Sequence, residues 1–294
     1  HIAHETTHLD WVERMDITVT TSADQQPLFP GRVVADQTLE GKRRSVRYLI
    51  DRPSRGWGQV MSGRYETINA GRDGLIPVAV HYHPGHAYNV ERIGHELSKA
   101  IAHFTDRYGS PPFDTFRLAE TSLHYDGVGQ RAGLAYLSEI SVWKADLTQS
   151  DGEDVRQISG DLLGLAWWSD QIMPANVAGA KSLWSGLPYW TSALYLHQAR
   201  GPETSLKVRQ KAMQEMYQAR AALDDIEVPF SEEMKASVMV RKKGPLQLIY
   251  LADRFGAEQL ESGFESFLKD WRYRSYPYPT VADLRDHLKA SLPA

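Results

Sequence analysis

The chain has 294 residues, 42% of them hydrophobic, with a formal net charge of -4 and no cysteine; a chain of this length buries about three quarters of its unfolded surface, enough for one large core or two to three small ones. Both charge signs are scattered, with no basic stripe for a phosphate backbone and no Lys/Arg run long enough for a lipid surface, so neither nucleic acid nor a lipid surface is an expected partner. Disulfides, thiolate nucleophiles and sulfur-rich metal sites are excluded, and any metal would need His, Asp or Glu.

Along the chain, the first 75 residues read as strands: Met15, Ile17 and Val19 alternate with polar neighbours, and Val46, Tyr48 and Leu49 lie in a second β-rich run. Val78, Val80 and Tyr82 mark a further strand, ended by a turn at Pro84-Gly85. Asn89 is placed to cap a helix whose apolar stripe is Val90, Ile93, Leu97, Ile101 and Phe104, ending near Tyr108-Gly109. Strand-like runs follow at Phe116 to Leu123 and Leu134 to Trp143. From Gly152 helical spacing dominates: Val155 to Trp168, Lys181 to His197, Lys207 to Leu223, Pro245 to Phe255, Leu260 to Trp271 and Val281 to Leu292. Pro245 suits a first-turn position, and Thr280 with Asp283 forms a capping box for the last helix. No segment approaches the roughly 20 apolar residues of a membrane span, and the polar start at His1 has no signal-like apolar run, so a soluble fragment is expected.

The string His4-Glu5-Thr6-Thr7-His8 has the spacing at which two histidines share a helix face and hold zinc, with Glu5 as base. It lacks an apolar stripe to bury it and precedes the β region, so it reads as a polar leader; the competing reading makes it the centre of an active zinc peptidase. In His95-Glu96-Leu97-Ser98-Lys99, lysine stands where a second ligand would be, and a solvated helix face explains the string together with His103. His81 and His83 fall on one side of a strand, and with His86 they would make a metal site only if a carboxylate joined them.

Read in order, several distant segments carry a larger pattern. They are Thr21 to Gln25 with Pro30-Gly31, His83 to Asn89, Trp167-Trp168 with Gln171, Pro174 to Ala180, Lys243-Gly244 and Pro277 to Thr280. From Trp11 onward the chain resembles the gluzincin zinc aminopeptidases, and more narrowly the aminopeptidase-type domain at the C-terminus of some bacterial ATP-binding-cassette permease proteins. The resemblance implies an α+β fold: a partial saddle-like β domain over residues 1–75, a thermolysin-like mixed α/β domain over 76–205, and C-terminal helices over 206–294. It also implies membrane permease segments in the same polypeptide and a periplasmic or extracellular soluble domain.

A gluzincin needs two histidines one helical turn apart, a glutamate between them as base, and a glutamate from the next helix as third ligand. With Trp167-Trp168 setting the register, the histidine positions hold Asp161 and Leu165 and the base position Leu162; one residue back, they hold Gly160 and Gly164, with Asp161 at the base. The third ligand falls at Trp184 or Ser185, and no Asp or Glu lies between Asp170 and Glu203. The family's GxMEN strand matches Gly127-Val128-Gly129-Gln130-Arg131, which puts Gln130 where a glutamate would bind the substrate amine. The transition-state tyrosine corresponds to Arg241. The resemblance therefore implies a pseudo-peptidase with no zinc or other cofactor, in whose former cleft, whether open or filled, a peptide or protein ligand would meet Gln130, Arg131, Trp184 and Arg241. Its rival keeps an enzyme, with a non-standard site built from Asp161, Glu139 and His124. The aromatic group Trp167, Trp168, Trp184, Tyr189 and Trp190 reads as core packing more readily than as a partner anchor.

Overall fold

A computed structural model describes residues 11–55, 58–70, 76–124, 127–143, 153–199, 202–221, 228–232 and 238–293. His4, Glu5 and His8 lie outside the described residues. The fold is α+β, with helices and mixed sheets both present. Its contacts divide it into two compact units, each discontinuous in sequence: among the described residues, 11–102 with 111–162 form a strand-rich unit, and 103–110 with 163 onward a helical one. The expected segment 76–205 contributes to both.

In the strand-rich unit, β1 (Met15–Ser22), β4 (Arg43–Ile50) and β3 (Arg32–Leu39) form an antiparallel sheet in the order β1-β4-β3, and β2 (Gln26–Leu28) pairs with β5 (Met61–Gly63). The alternation of Met15, Ile17 and Val19 turns them inward onto Phe29, Val46, Tyr48 and Ile50, as period-two patterning requires. A second sheet has the order β6-β7-β8-β10-β9, from β6 (Glu66–Asn69), β7 (Val78–Tyr82), β8 (Phe116–Thr121), β9 (Val128–Arg131) and β10 (Leu134–Ser138). Its three central strands, β7, β8 and β10, run parallel. Leu28 and Met61 of the short pair pack on Ala119 and Leu134 of this sheet. Arg117 ties the β layers together: it donates to the Gly31 carbonyl at 2.7 Å and lies over the Tyr48 ring.

β10 is shorter than the expected run to Trp143. After Ser138 the chain turns, Ser141 N–H closing onto Ser138, and the Trp143 indole folds back to donate to the Leu137 carbonyl. An indole N–H buried without an acceptor is costly, and this turn supplies one. α1 (Val90–Tyr108) begins one residue after Asn89, as expected, and Ile93 donates to the Asn89 carbonyl. The Asn89 amide itself reaches out of the helix to the Val142 carbonyl at 2.5 Å.

The helical unit contains the end of α1, the end of α2 (Glu153–Ser169), α3 (Leu187–Ala199), α4 (Pro202–Ala221), α5 (Val238–Phe255), α6 (Ala257–Trp271) and α7 (Val281–Ser291). α5 packs against α3, α4 and α6, and α6 against α7. Leu260, Phe264, Phe267 and Leu268 are buried on one stripe of α6, the spacing of a helix with one core face. Among the described residues no helix is long and apolar enough to cross a membrane.

Two helix boundaries differ from the sequence reading. Pro245 lies inside α5, which begins at Val238; the apolar residues after it set the expected start, while the preceding turn carries Arg241, Lys242 and Lys243, which give no apolar stripe. The expected Lys181 to His197 helix is split by a π-helical turn, Ser182–Gly186, in which Leu187 donates to the Ser182 carbonyl. Pro188 lacks the N–H that would bond the Trp184 carbonyl, and that carbonyl accepts the Ser169 hydroxyl at 3.5 Å instead.

The Thr280 capping box is present, with the Asp283 carboxylate accepting the Thr280 N–H at 2.8 Å and its hydroxyl at 2.6 Å. Asp283→Ala is expected to cost about 1 kcal/mol, read from urea unfolding midpoints; an unchanged midpoint would show that α7 holds without its cap.

Candidate functional site

The positions implied for zinc ligands are occupied by packing. Gly160 and Leu162 are buried, and Asp161 is half-buried, accepting a hydrogen bond from Gln157 at 3.0 Å. In the helical unit, a Cβ on Gly164 would stand 2.2 Å from the Pro188 carbonyl oxygen and 2.9 Å from its carbon. Glycine is what lets the α2 and α3 backbones approach this closely. Ser185 is buried and Trp184 and Leu165 are half-buried. None of these side chains is a zinc ligand of the gluzincin kind.

The surrounding aromatics are core. Trp167 and Trp168 are fully buried, the Trp168 indole donates to Thr191 at 2.8 Å, and its ring meets Tyr108, Phe264 and Phe267. Trp190 donates to the Val240 carbonyl at 2.9 Å. Arg241 is exposed, with its guanidinium over the Tyr189 ring. Gln130 is buried, and its amide oxygen accepts the Gly133 N–H at 3.0 Å, bracing the β9–β10 turn. Arg131 donates to the Gln130 carbonyl at 2.9 Å. Gln130 and Arg131 belong to the strand-rich unit, Trp184 and Arg241 to the helical one.

A different group converges within the strand-rich unit. His83, His86, Glu120 and Glu139 each bring a possible metal-ligand atom to within 4.8 Å of the others. The topology explains the meeting: β7, β8 and β10 are parallel neighbours, and these residues stand at or just past their C-terminal ends, where open parallel sheets commonly bind ligands. His83 and His86 are the ends of a turn with Pro84 at its second position and Gly85 at its third. Gly85 has a φ of +89°, and His86 N–H donates to the His83 carbonyl at 3.0 Å, the pattern of a type II turn. Glu139 follows β10 directly, held by its N–H to the Thr121 carbonyl at 2.8 Å, in the turn that Asn89 secures through Val142.

Glu120 is fully buried. Its carboxylate accepts the His83 N–H at 2.7 Å and lies 2.5 Å from His86 Nδ1 and 3.7 Å from His83 Nδ1. Tyr65 stacks flat on the His83 ring, and its hydroxyl donates to the Glu120 carbonyl at 3.1 Å. Burial, with the Glu120 charge adding, pushes the Tyr65 hydroxyl up to about 12. His81, two residues before His83, has its Nδ1 at 2.8 Å from the Thr67 hydroxyl; burial, helped by Arg117, pushes its imidazole down to about 4. It stays neutral at pH 7 and outside the four-residue group.

Two carboxylates, Glu120 and Glu139, thus join His83 and His86, while His81, the third histidine of the expected trio, stands apart from them. Sequence reasoning missed Glu120 because it sits on a strand 34 residues beyond His86 and only the sheet order makes them neighbours. The rival enzyme reading groups Glu139 with Asp161 and His124 instead. Among the described residues neither joins it in a possible metal group, and His124 is exposed. No protein-family model matches the chain, and comparison with curated proteins finds no match.

Proposed function

We propose that this chain is a non-catalytic, aminopeptidase-like domain acting as a binding or structural module, the soluble part of an ATP-binding-cassette export permease. The observation that carries the loss of catalysis is the approach of Gly164 to the Pro188 carbonyl. Helix backbones that close leave no room for an imidazole at 164, and in the other register Leu162 and Leu165 offer no ligand or base. The permease association and an extracytoplasmic location rest on the sequence resemblance. For a peptide or protein ligand, Arg241 offers an exposed cation and Trp184 a half-exposed aromatic surface, residue types that anchor partners.

The test is hydrolysis of amino-acid anilides by the purified chain, with and without added zinc. No turnover above the buffer blank is expected, and zinc-dependent release of the anilide would overturn the reading. A second reading, a metallopeptidase working through a non-standard site, is favoured by the His83–His86–Glu120–Glu139 group. It requires turnover that His86→Ala abolishes, whereas turnover surviving that change would have to arise elsewhere.

A further inference from the structure

We propose that His83, His86, Glu120 and Glu139 form a binding site for one divalent transition-metal ion of the zinc type. The inference does not depend on the chain being non-catalytic, and it departs from the sequence expectation of a metal-free protein.

Burial removes the Glu120 side chain from water entirely. A carboxylate removed from water needs a compensating cation or a full set of donors. Two other buried glutamates have permanent cations: Glu96 faces Lys99 at 3.1 Å and Arg156 at 3.3 Å, and Glu261 faces Arg107 at 3.5 Å. Glu120 has no Lys or Arg partner among the described residues; its ionic neighbours are the two imidazoles. Each of those presents Nδ1 to the same carboxylate, and a second carboxylate, Glu139, closes the group. Two carboxylates would balance the charge of a divalent ion.

The donor set selects the ion. Two imidazoles with two carboxylates suit zinc, copper or nickel, whereas magnesium and calcium favour oxygen ligands throughout. Ligand atoms about 3.4 Å apart surround a tetrahedral zinc with bonds of about 2.1 Å, and the four residues already lie within 4.8 Å of one another. The ion would take the place of the direct contact between His86 Nδ1 and the Glu120 carboxylate. The supports are fixed: a proline-glycine turn sets the two histidines, a strand end sets Glu120, and the Asn89–Val142 bond holds the turn bearing Glu139. His83 and His86 keep 32% and 22% side-chain exposure, which leaves the ion a route in from solvent. Once bound, it would join the β7–α1 turn to the ends of β8 and β10.

Calorimetric titration of the whole chain with zinc chloride, in parallel with magnesium and calcium chloride, tests the site. One zinc per chain is expected, with neither of the other ions competing. His86→Ala and Glu139→Gln, both at partly exposed positions, are each expected to weaken zinc by more than the roughly 100-fold that changes to outer-shell groups reach, with circular dichroism checking that they fold. A His4→Ala/His8→Ala variant is expected to bind as the parent does. Cobalt gives a second readout: its visible ligand-field absorption should appear with the parent chain and vanish with His86→Ala. Absence of zinc binding, affinity unchanged in both single variants, loss of binding in the His4/His8 variant, or tighter binding of magnesium or calcium would each overturn the proposal.

Discussion

Gly164→Ala is expected to destabilise the chain by about 3 kcal/mol, the upper end of the ordinary overpacking range, with the urea midpoint falling accordingly. The added methyl would meet backbone, the Pro188 carbonyl oxygen at 2.2 Å and its carbon at 2.9 Å, and backbone yields less readily than a side-chain tip. Relief would require α2 and α3 to separate, which would loosen the Trp168 to Thr191 hydrogen bond between them. A loss under about 1 kcal/mol, the size of an ordinary surface change, would mean that the helices part easily and that position 164 could accept a larger side chain. That result would also remove the main support for a closed catalytic position.

Arg107→Ala is expected to cost about 3 kcal/mol, and Glu261→Gln only about 1 kcal/mol. The asymmetry comes from burial. Glu261 is 2% exposed, with Arg107 Nε at 3.5 Å and His103 Nε2 at 3.6 Å, while the Arg107 side chain keeps 33% of its surface in water. Removing the arginine leaves an anion in the core, but neutralising the glutamate leaves a cation that can still be hydrated. The neighbouring Tyr108 hydroxyl is held well above its ordinary range by burial and by the Glu261 charge, so it remains a neutral group that cannot replace the lost cation. Unfolding of both variants at pH 7 gives the comparison. A larger loss for Glu261→Gln than for Arg107→Ala would show that hydrogen bonding, and not charge compensation, is what Glu261 contributes.

Glu120 and Glu261 pose the same physical problem and resolve it differently. Glu261 has a guanidinium beside it, whereas Glu120 has two imidazoles and a backbone N–H. Glu261 therefore sits in an ion pair complete without a metal, whereas the groups around Glu120 are themselves metal-ligand types.

Local patterning was enough to read the element types, because each depends on neighbours a few residues apart. The alternation of Met15, Ile17 and Val19 determined a strand with one inward face, the stripe from Val90 to Phe104 determined α1, and Thr280 with Asp283 determined where α7 starts. That neither His nor Glu stands from Gly160 to Leu165 or at Trp184 and Ser185 was also in the sequence, since it concerns residue types alone. Tertiary structure decided the rest. The π-helical turn before Pro188 depends on how backbone groups find partners around a proline, and the early start of α5 on a turn whose Arg241, Lys242 and Lys243 carry no apolar stripe. The role of Gly164 depends on a carbonyl 24 positions away. The meeting of His83, His86, Glu120 and Glu139 depends on β7, β8 and β10 lying side by side in parallel. Parallel strands join residues across long connections, so their shared C-terminal edge has no local signature in the chain.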